Sequence, residues 1–159
     1  MSVSADPIVI AAGDTEDLPA VMRIMSQSFD PRYGEAWTAT QCSGLLGTPG
    51  VWLDLASIDE RAIGFAMARL LVDECELLLL AVDPSMQKKG IGTRLLESFV
   101  DTARRQGATR LHLEVREGNP AISLYERSGF DNIGRRRGYY DGAGGHRYDA
   151  LTYARTLRS

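Results

Sequence analysis

Leu80-Ala81-Val82-Asp83-Pro84, followed by Gln87-Lys88-Lys89-Gly90-Ile91-Gly92, is the stretch whose reading decides the fold. Its first half closes the apolar run 76–82, which reads as a strand buried on both faces and ended by Asp83-Pro84. Beyond it, Ile91, Leu95, Leu96, Phe99, Val100 and Ala103 recur at helical spacing, which predicts a helix over 90–106 with Gly107 as its stop. The residues between are therefore a strand-to-helix turn. The first N–H groups of a helix have no partner within it, and the dipole makes that end positive, so a diphosphate seated there satisfies both. Gly90 and Gly92 let phosphate approach the main chain, while Lys88, Lys89 and Thr93 add charge and a hydroxyl. A tight turn with glycines for packing and lysines in water is the plain alternative. The strand–turn–helix context favours the phosphate site. Neither a P-loop nor the dinucleotide fingerprint fits the spacing.

Working outward, residues 8–12 read as a short buried strand. A helix follows, capped by Asp14 or Thr15, with Leu18, Val21, Met22, Met25 and Phe29 on one stripe and Pro19 in its first turn. Residues 30–49 are rich in Gly, Thr and Pro and hold a short helix near 38–46. Strands are expected at 51–56 and 62–72, joined by a hairpin connection at 57–61. Strand 110–116 puts Leu111, Leu113 and Val115 on one face and His112 and Glu114 on the other. A short helix at 119–128 stops at Gly129, and 130–137 pairs antiparallel with 147–157 around a Gly-rich loop. The strand–helix–strand unit 76–116 implies a parallel pair. The fold class is α/β, with a mixed sheet and helices on both faces.

Length and composition, 159 residues and 44% apolar, suit a single domain spanning 1–159. The net charge of −3 gives no whole-protein field for nucleic acid or an anionic membrane, although residues 130–159 are net basic. Two cysteines, Cys42 and Cys75, are too few for a disulfide framework and read as packing residues. With only His112 and His146 beside them, no metal site is expected. Nothing near Met1 has the form of a leader, and no apolar run reaches a membrane span, so a cytoplasmic location is expected.

The segment Leu80-Ala81-Val82-Asp83-Pro84…Gln87-Lys88-Lys89-Gly90-Ile91-Gly92 resembles the acetyl-CoA signature Q/R-x-x-G-x-G/A of the GNAT superfamily of N-acetyltransferases, and the order of elements over about 8–157 matches as well. Downstream, Asn119-Pro120-Ala121-Ile122-Ser123-Leu124-Tyr125-Glu126-Arg127-Ser128-Gly129-Phe130 is similar to its N-x-x-A-x-x-L-Y-x-x-x-G-F segment, with Ala121 one residue early. The resemblance implies a largely antiparallel sheet in which the strands at 76–82 and 110–116 splay. It also implies acetyl-CoA as donor, its pyrophosphate at 87–93 and its pantetheine arm against the main chain of Leu80, Ala81 and Val82. Asn119 would reach toward the cofactor.

Acetylation of an amine by a thioester requires loss of the amine proton, stabilisation of an oxyanion and protonation of the departing thiolate. Glu114 could take the first proton, directly or through water. Tyr125 could supply the last, and an N–H near Val82 could polarise the carbonyl. Periodicity alone favours a core tyrosine and an exposed strand glutamate, and only the joint motif raises the catalytic roles; a plain Asn119 helix cap stays equally open.

Leu113-Glu114-Val115-Arg116, the Leu-Tyr helix, Arg136-Arg137-Gly138-Tyr139-Tyr140 and Asp149-Ala150-Leu151 together resemble the RimI-type ribosomal-protein-alanine N-acetyltransferases. That likeness implies Glu114 as base, Tyr125 as acid, Tyr139 and Tyr140 as the acceptor wall, and the N-terminal α-amine, alanine's, of a ribosomal or other protein as acceptor. An α-amine, with a pKa of about 8, needs a weaker base than lysine at about 10.4. Other readings are a GNAT acting on a small amine or lysine, a silent acyl-CoA-binding module, and an unrelated phosphate binder that leaves 113–130 unexplained.

Overall fold

The computed structural model describes residues 8–158. The leader reading at Met1 and the residues beside it lies outside them. Seven strands form one sheet in the order β1-β2-β3-β4-β5-β7-β6. They are β1 (Val9–Gly13), β2 (Val51–Ile58), β3 (Arg61–Leu71), β4 (Glu74–Val82), β5 (Arg110–Arg116), β6 (Asp131–Asp141) and β7 (Arg147–Thr156). Every neighbouring pair is antiparallel except β4–β5. The helices are α1 (Leu18–Ser28), α2 (Ala39–Leu46), α3 (Ile91–Arg105) and α4 (Ala121–Arg127).

Local sequence explains the helix ends. Asp14 accepts the Glu16 N–H at 2.8 Å and opens a 3₁₀ turn that leads into α1, whose Pro19 sits in the first turn. Thr38 and Gln41 exchange bonds of 3.1 and 2.8 Å as a capping box that starts α2.

The two faces of the sheet bury separate apolar clusters. Leu95, Leu96 and Phe99 of α3 pack with Ala66, Ala68 and Leu111 on one face, joined there by Tyr125 and Phe130. Val21, Ile24 and Met25 of α1, with Cys42 of α2, pack with Leu53, Leu55, Phe65 and Met67 on the other. Each such large side chain contributes roughly 1.5–3 kcal/mol by leaving water.

The apolar run of β4 hides a change of face. Ala68 pairs with Leu77 but Met67 pairs with Leu79, so Leu78 is an extra residue, a β-bulge. Before it, Cys75 and Leu77 face α3; after it, Leu79 and Ala81 face α1. The β4–β5 register ends at Leu77↔Leu113. Beyond that point β4 stays with β3 as far as Gly64↔Val82, and β5 stays with β7 as far as Arg116↔Ala150. Both strands keep their outer partners and part from each other. The expected splay is present, and the bulge is where it begins.

Two expectations are corrected. The strand at 8–12 was expected to be buried, yet Val9, Ala11 and Ala12 of β1 are exposed. Strand 130–137 extends to Asp141, and Tyr140 pairs with Tyr148. Tyr140 is therefore part of the ladder, while Tyr139 lies within β6 in the bulge between Arg136 and Tyr140.

Candidate active site

Around the splay, the end of β4 presents main chain. The Asp83 N–H donates to Ile63 O of β3 at 2.7 Å. Main-chain groups alternate in direction along a strand, so those of Leu80 and Val82 point away from β3, toward the opening. The Val82 carbonyl accepts from the Ser28 hydroxyl at 2.8 Å and from Gln87 Nε2 at 3.3 Å, which ties α1 and the turn to this strand end. Ala81 is buried among the α1-side residues, so its side chain does not face the splay.

The turn itself is exposed from Gln87 through Gly90. Lys88 at φ 65° and Gly90 at φ 81° are both left-handed, which curls the main chain. Gly90 is the N-cap of α3, and no side chain caps that helix. A Cβ at Gly90 would meet nothing within 4 Å, so the space in front of the helix end is open. Gly92 differs, since its Cβ would press on Leu124 at 3.3 Å. The sequence reading gave both glycines to phosphate; the second also lies close against Leu124, where α3 packs on α4. Ile91 is 1% exposed and can offer only its N–H, whereas Thr93 is half-buried and lines a surface groove between α3 and α4.

At the other end of the opening, Glu114 lies on β5 opposite Thr152 of β7. Its carboxylate accepts from the Thr152 hydroxyl at 2.7 Å and pairs with Arg136 Nε at 3.0 Å. Its side chain is 13% exposed, so the plain reading as an exposed strand position does not hold.

Tyr125 is 6% exposed and meets Phe130 edge-on, with centroids 6.2 Å apart. Burial, and then the charge of Glu35, hold its phenol well above the ordinary tyrosine range. Tyr140 is half-buried, and its phenol is raised by burial first and then by Glu35, Tyr139, Glu114 and Tyr125. Tyr139 is 50% exposed and stands edge-on to Tyr140 at 5.0 Å, with the Arg136 guanidinium 5.7 Å from its ring. Glu114, Tyr125, Tyr139 and Tyr140 thus share one electrostatic neighbourhood.

Asn119 is engaged locally. Its Oδ1 accepts the Ala121 N–H at 2.8 Å and its Nδ2 donates to Glu35 at 3.2 Å. Helix α4 starts at Ala121, two residues later than the expected 119. Glu35 itself was missed. It forms an ion pair with Arg116, both side chains being 10% exposed or less, and lies in a Gly- and Thr-rich segment with no periodicity to single it out.

Cys42 and Cys75 are buried and unpaired, and burial raises the Cys75 thiol to about 11. Among the described residues, no group of three or more His, Cys, Asp or Glu is arranged to hold a metal ion. No helix among them is long and apolar enough to cross a membrane.

Comparison with known proteins bears on this arrangement. The model of the Acetyltransferase (GNAT) family matches residues 18–130. The chain is 38% identical over 141 residues to the [Ribosomal protein bS18]-alanine N-acetyltransferase of Salmonella typhimurium, covering 88% of this chain and 91% of that one. The crystal structure of the ribosomal-protein-S18-alanine N-acetyltransferase from Escherichia coli superposes with a TM-score of 0.85 at 31% identity, covering 96% of each chain. PaiA N-acetyltransferase from Thermoplasma acidophilum, solved in complex with coenzyme A, shares the fold with a TM-score of 0.76 at 19% identity, covering 95% of this chain and 99% of that one. A mixed sheet with one parallel, splaying strand pair, an open helix end beside it and a family match across most of its length agree: the chain belongs to the GNAT family and is an N-acetyltransferase similar to the ribosomal-protein-alanine enzymes.

Proposed function

We propose that this chain, acting as one domain in the cytoplasm, transfers the acetyl group of acetyl-CoA to the N-terminal α-amine of a protein. Alanine is the preferred first residue, and a ribosomal protein of the bS18 kind is the acceptor. The observation that supports this most is the splay, bounded by the uncapped end of α3 on one side and by Glu114 and Tyr125 on the other.

Each residue then has a task. The N–H groups at 90–93, with Lys88 and Lys89 at the rim, hold the pyrophosphate; the left-handed, unobstructed Gly90 fits that ligand. Gln87 braces the turn through the Val82 carbonyl. Main-chain groups of Leu80 and Val82 hold the pantetheine arm, and the Val82 N–H polarises the thioester carbonyl. Glu114, held by Thr152 and Arg136, takes the proton of the amine directly or through a water. Tyr125 donates its phenolic proton to the departing thiolate and regains one from solvent. Its elevated pKa keeps it a proton donor through the physiological range. Tyr139 and Tyr140 flank the incoming chain, and Asn119 fixes the start of α4.

The test is acetylation of short peptides with free Ala, Ser or Met termini, and of an N-terminally blocked peptide carrying an internal lysine. The proposal expects the free Ala peptide to react fastest. Equal rates for the blocked lysine peptide would remove the α-amine assignment. Bound acetyl-CoA with no transfer to any amine would favour the silent binding module.

A further inference from the structure

Two loops meet beside this site. The turn at 31–34 begins with Asp30, whose side chain accepts the Arg32 N–H at 2.9 Å, and ends at Gly34 with φ 67°. A Cβ on Gly34 would run into the Asp141 carbonyl, and one on Gly142 into the Arg32 carbonyl and the Tyr148 ring. The turn and the Gly-rich loop 141–145 therefore interlock through two glycines, with no slack between their main chains. The ring of Tyr33 completes the junction, edge-on to Tyr148 at 5.1 Å and 3.6 Å beneath the Arg116 guanidinium. Next in sequence, the Glu35 carboxylate takes Arg116 as an ion pair and accepts from Asn119.

These contacts join three elements that carry the site. Arg116 lies two residues beyond Glu114 on β5, Asn119 sets the start of the helix bearing Tyr125, and Asp141 follows Tyr140. Opening the turn would carry the Glu35 carboxylate away and leave the buried Arg116 guanidinium with no counter-charge, only its bond to the Glu117 carbonyl, a costly state. We propose that Glu35 is a positioning residue that latches the 31–35 turn and the 141–145 loop into one wall of the acceptor cleft, and that this wall limits the size of the first acceptor residue. A bulky first side chain needs that wall to move outward, and the ion pair together with the glycine interlock resists the movement. The inference rests on the acetyl-transfer reading for its kinetic part only.

The experiment compares wild type, Glu35→Gln, Glu35→Asp and Gly142→Ala. Three readouts are used: KM for Ala- and Leu-terminal peptides, KM for acetyl-CoA, and amide hydrogen exchange in both loops. The latch predicts that Glu35→Gln raises the KM of the Ala peptide about tenfold, while acetyl-CoA stays within about twofold. The Ala-over-Leu preference falls, exchange quickens in 33–35 and 141–145 together, and Glu35→Asp recovers part of each effect. Gly142→Ala, which leaves the ion pair untouched, gives the same split and serves if Glu35→Gln does not fold. Parallel loss for donor and acceptor with the preference intact, or faster exchange in 33–35 alone, overturns the latch. If wild type acetylates no peptide, the acceptor reading fails, and joint or separate release of the two loops still decides the latch.

Discussion

Replacing Tyr125 by phenylalanine removes one hydroxyl from a ring that is 6% exposed and packed edge-on against Phe130. Packing is conserved, so the stability change is that of one hydrogen-bonding group, about 1 kcal/mol or less. The catalytic cost is larger. A tyrosine near 10 protonating a thiolate near 8.5 works uphill by about 1.5 pKa units, or ~2 kcal/mol. Burial that raises the phenol raises a thiolate in the same place for the same reason, so the gap does not widen in proportion. Removing a positioned acid costs roughly 10²–10⁴-fold in rate, or ~3–5 kcal/mol of transition-state stabilisation. Steady-state release of coenzyme A thiol in the presence of an Ala peptide measures the loss, and calorimetry of acetyl-CoA binding checks that donor affinity is kept. The pH profile adds a sign. A phenol raised by burial and by Glu35 stays protonated past the usual tyrosine range, so no alkaline limb from Tyr125 is expected below about pH 10. A Tyr125→Phe enzyme within about twofold of wild type would refute the acid role.

Glu114→Gln keeps the Thr152 hydrogen bond but releases Arg136, and is expected to lower kcat/KM about 10²–10⁴-fold with acetyl-CoA affinity unchanged, measured in the same assay. Gly90→Ala forces a side chain into a left-handed residue at roughly 1–2 kcal/mol and puts a methyl into the space in front of α3. A lower Tm and a raised acetyl-CoA KM with unchanged acceptor KM are expected. Asp54 is 7% exposed, accepts from Ser98 at 3.2 Å, and is held above the usual carboxylate range by burial. The native state then binds more protons than the unfolded chain between the unfolded pKa and the higher folded one, so this residue's contribution to stability falls as pH rises through that window. Asp54→Asn is accordingly expected to raise Tm at pH 7 and to lose that advantage in acid; a lower Tm at pH 7 would contradict it.

The parts of this molecule that periodicity controls were legible in the sequence. Ile91, Leu95, Phe99 and Ala103 announced α3, and the alternation of Leu111, Leu113 and Val115 announced β5 and placed Glu114 on the opposite face. The bulge at Leu78 was invisible because four leucines run from Leu77 to Leu80, and with no polar residue among them a change of face leaves no mark. The splay was expected only through a family resemblance, and it begins at that unmarked bulge. Glu35 was missed because its importance comes from Arg116, 81 residues away in the chain, and no local pattern records a partner at that distance. The extent of β6 was misread because Gly138 looks like the start of the Gly-rich loop, yet Tyr140 and Asp141 pair with Tyr148 and Arg147. Gly92 carried a double meaning that only the nearby Leu124 disclosed.

The central claim, that this site acetylates a protein N-terminus, is tested most directly within one peptide offering both a free N-terminal alanine and an internal lysine. After reaction with acetyl-CoA, tandem mass spectrometry locates the acetyl group residue by residue. The account predicts acetyl on the α-amine of the alanine and none on the lysine, with the signal lost in Tyr125→Phe. Acetyl on the lysine, or on both amines at comparable rates, would contradict it.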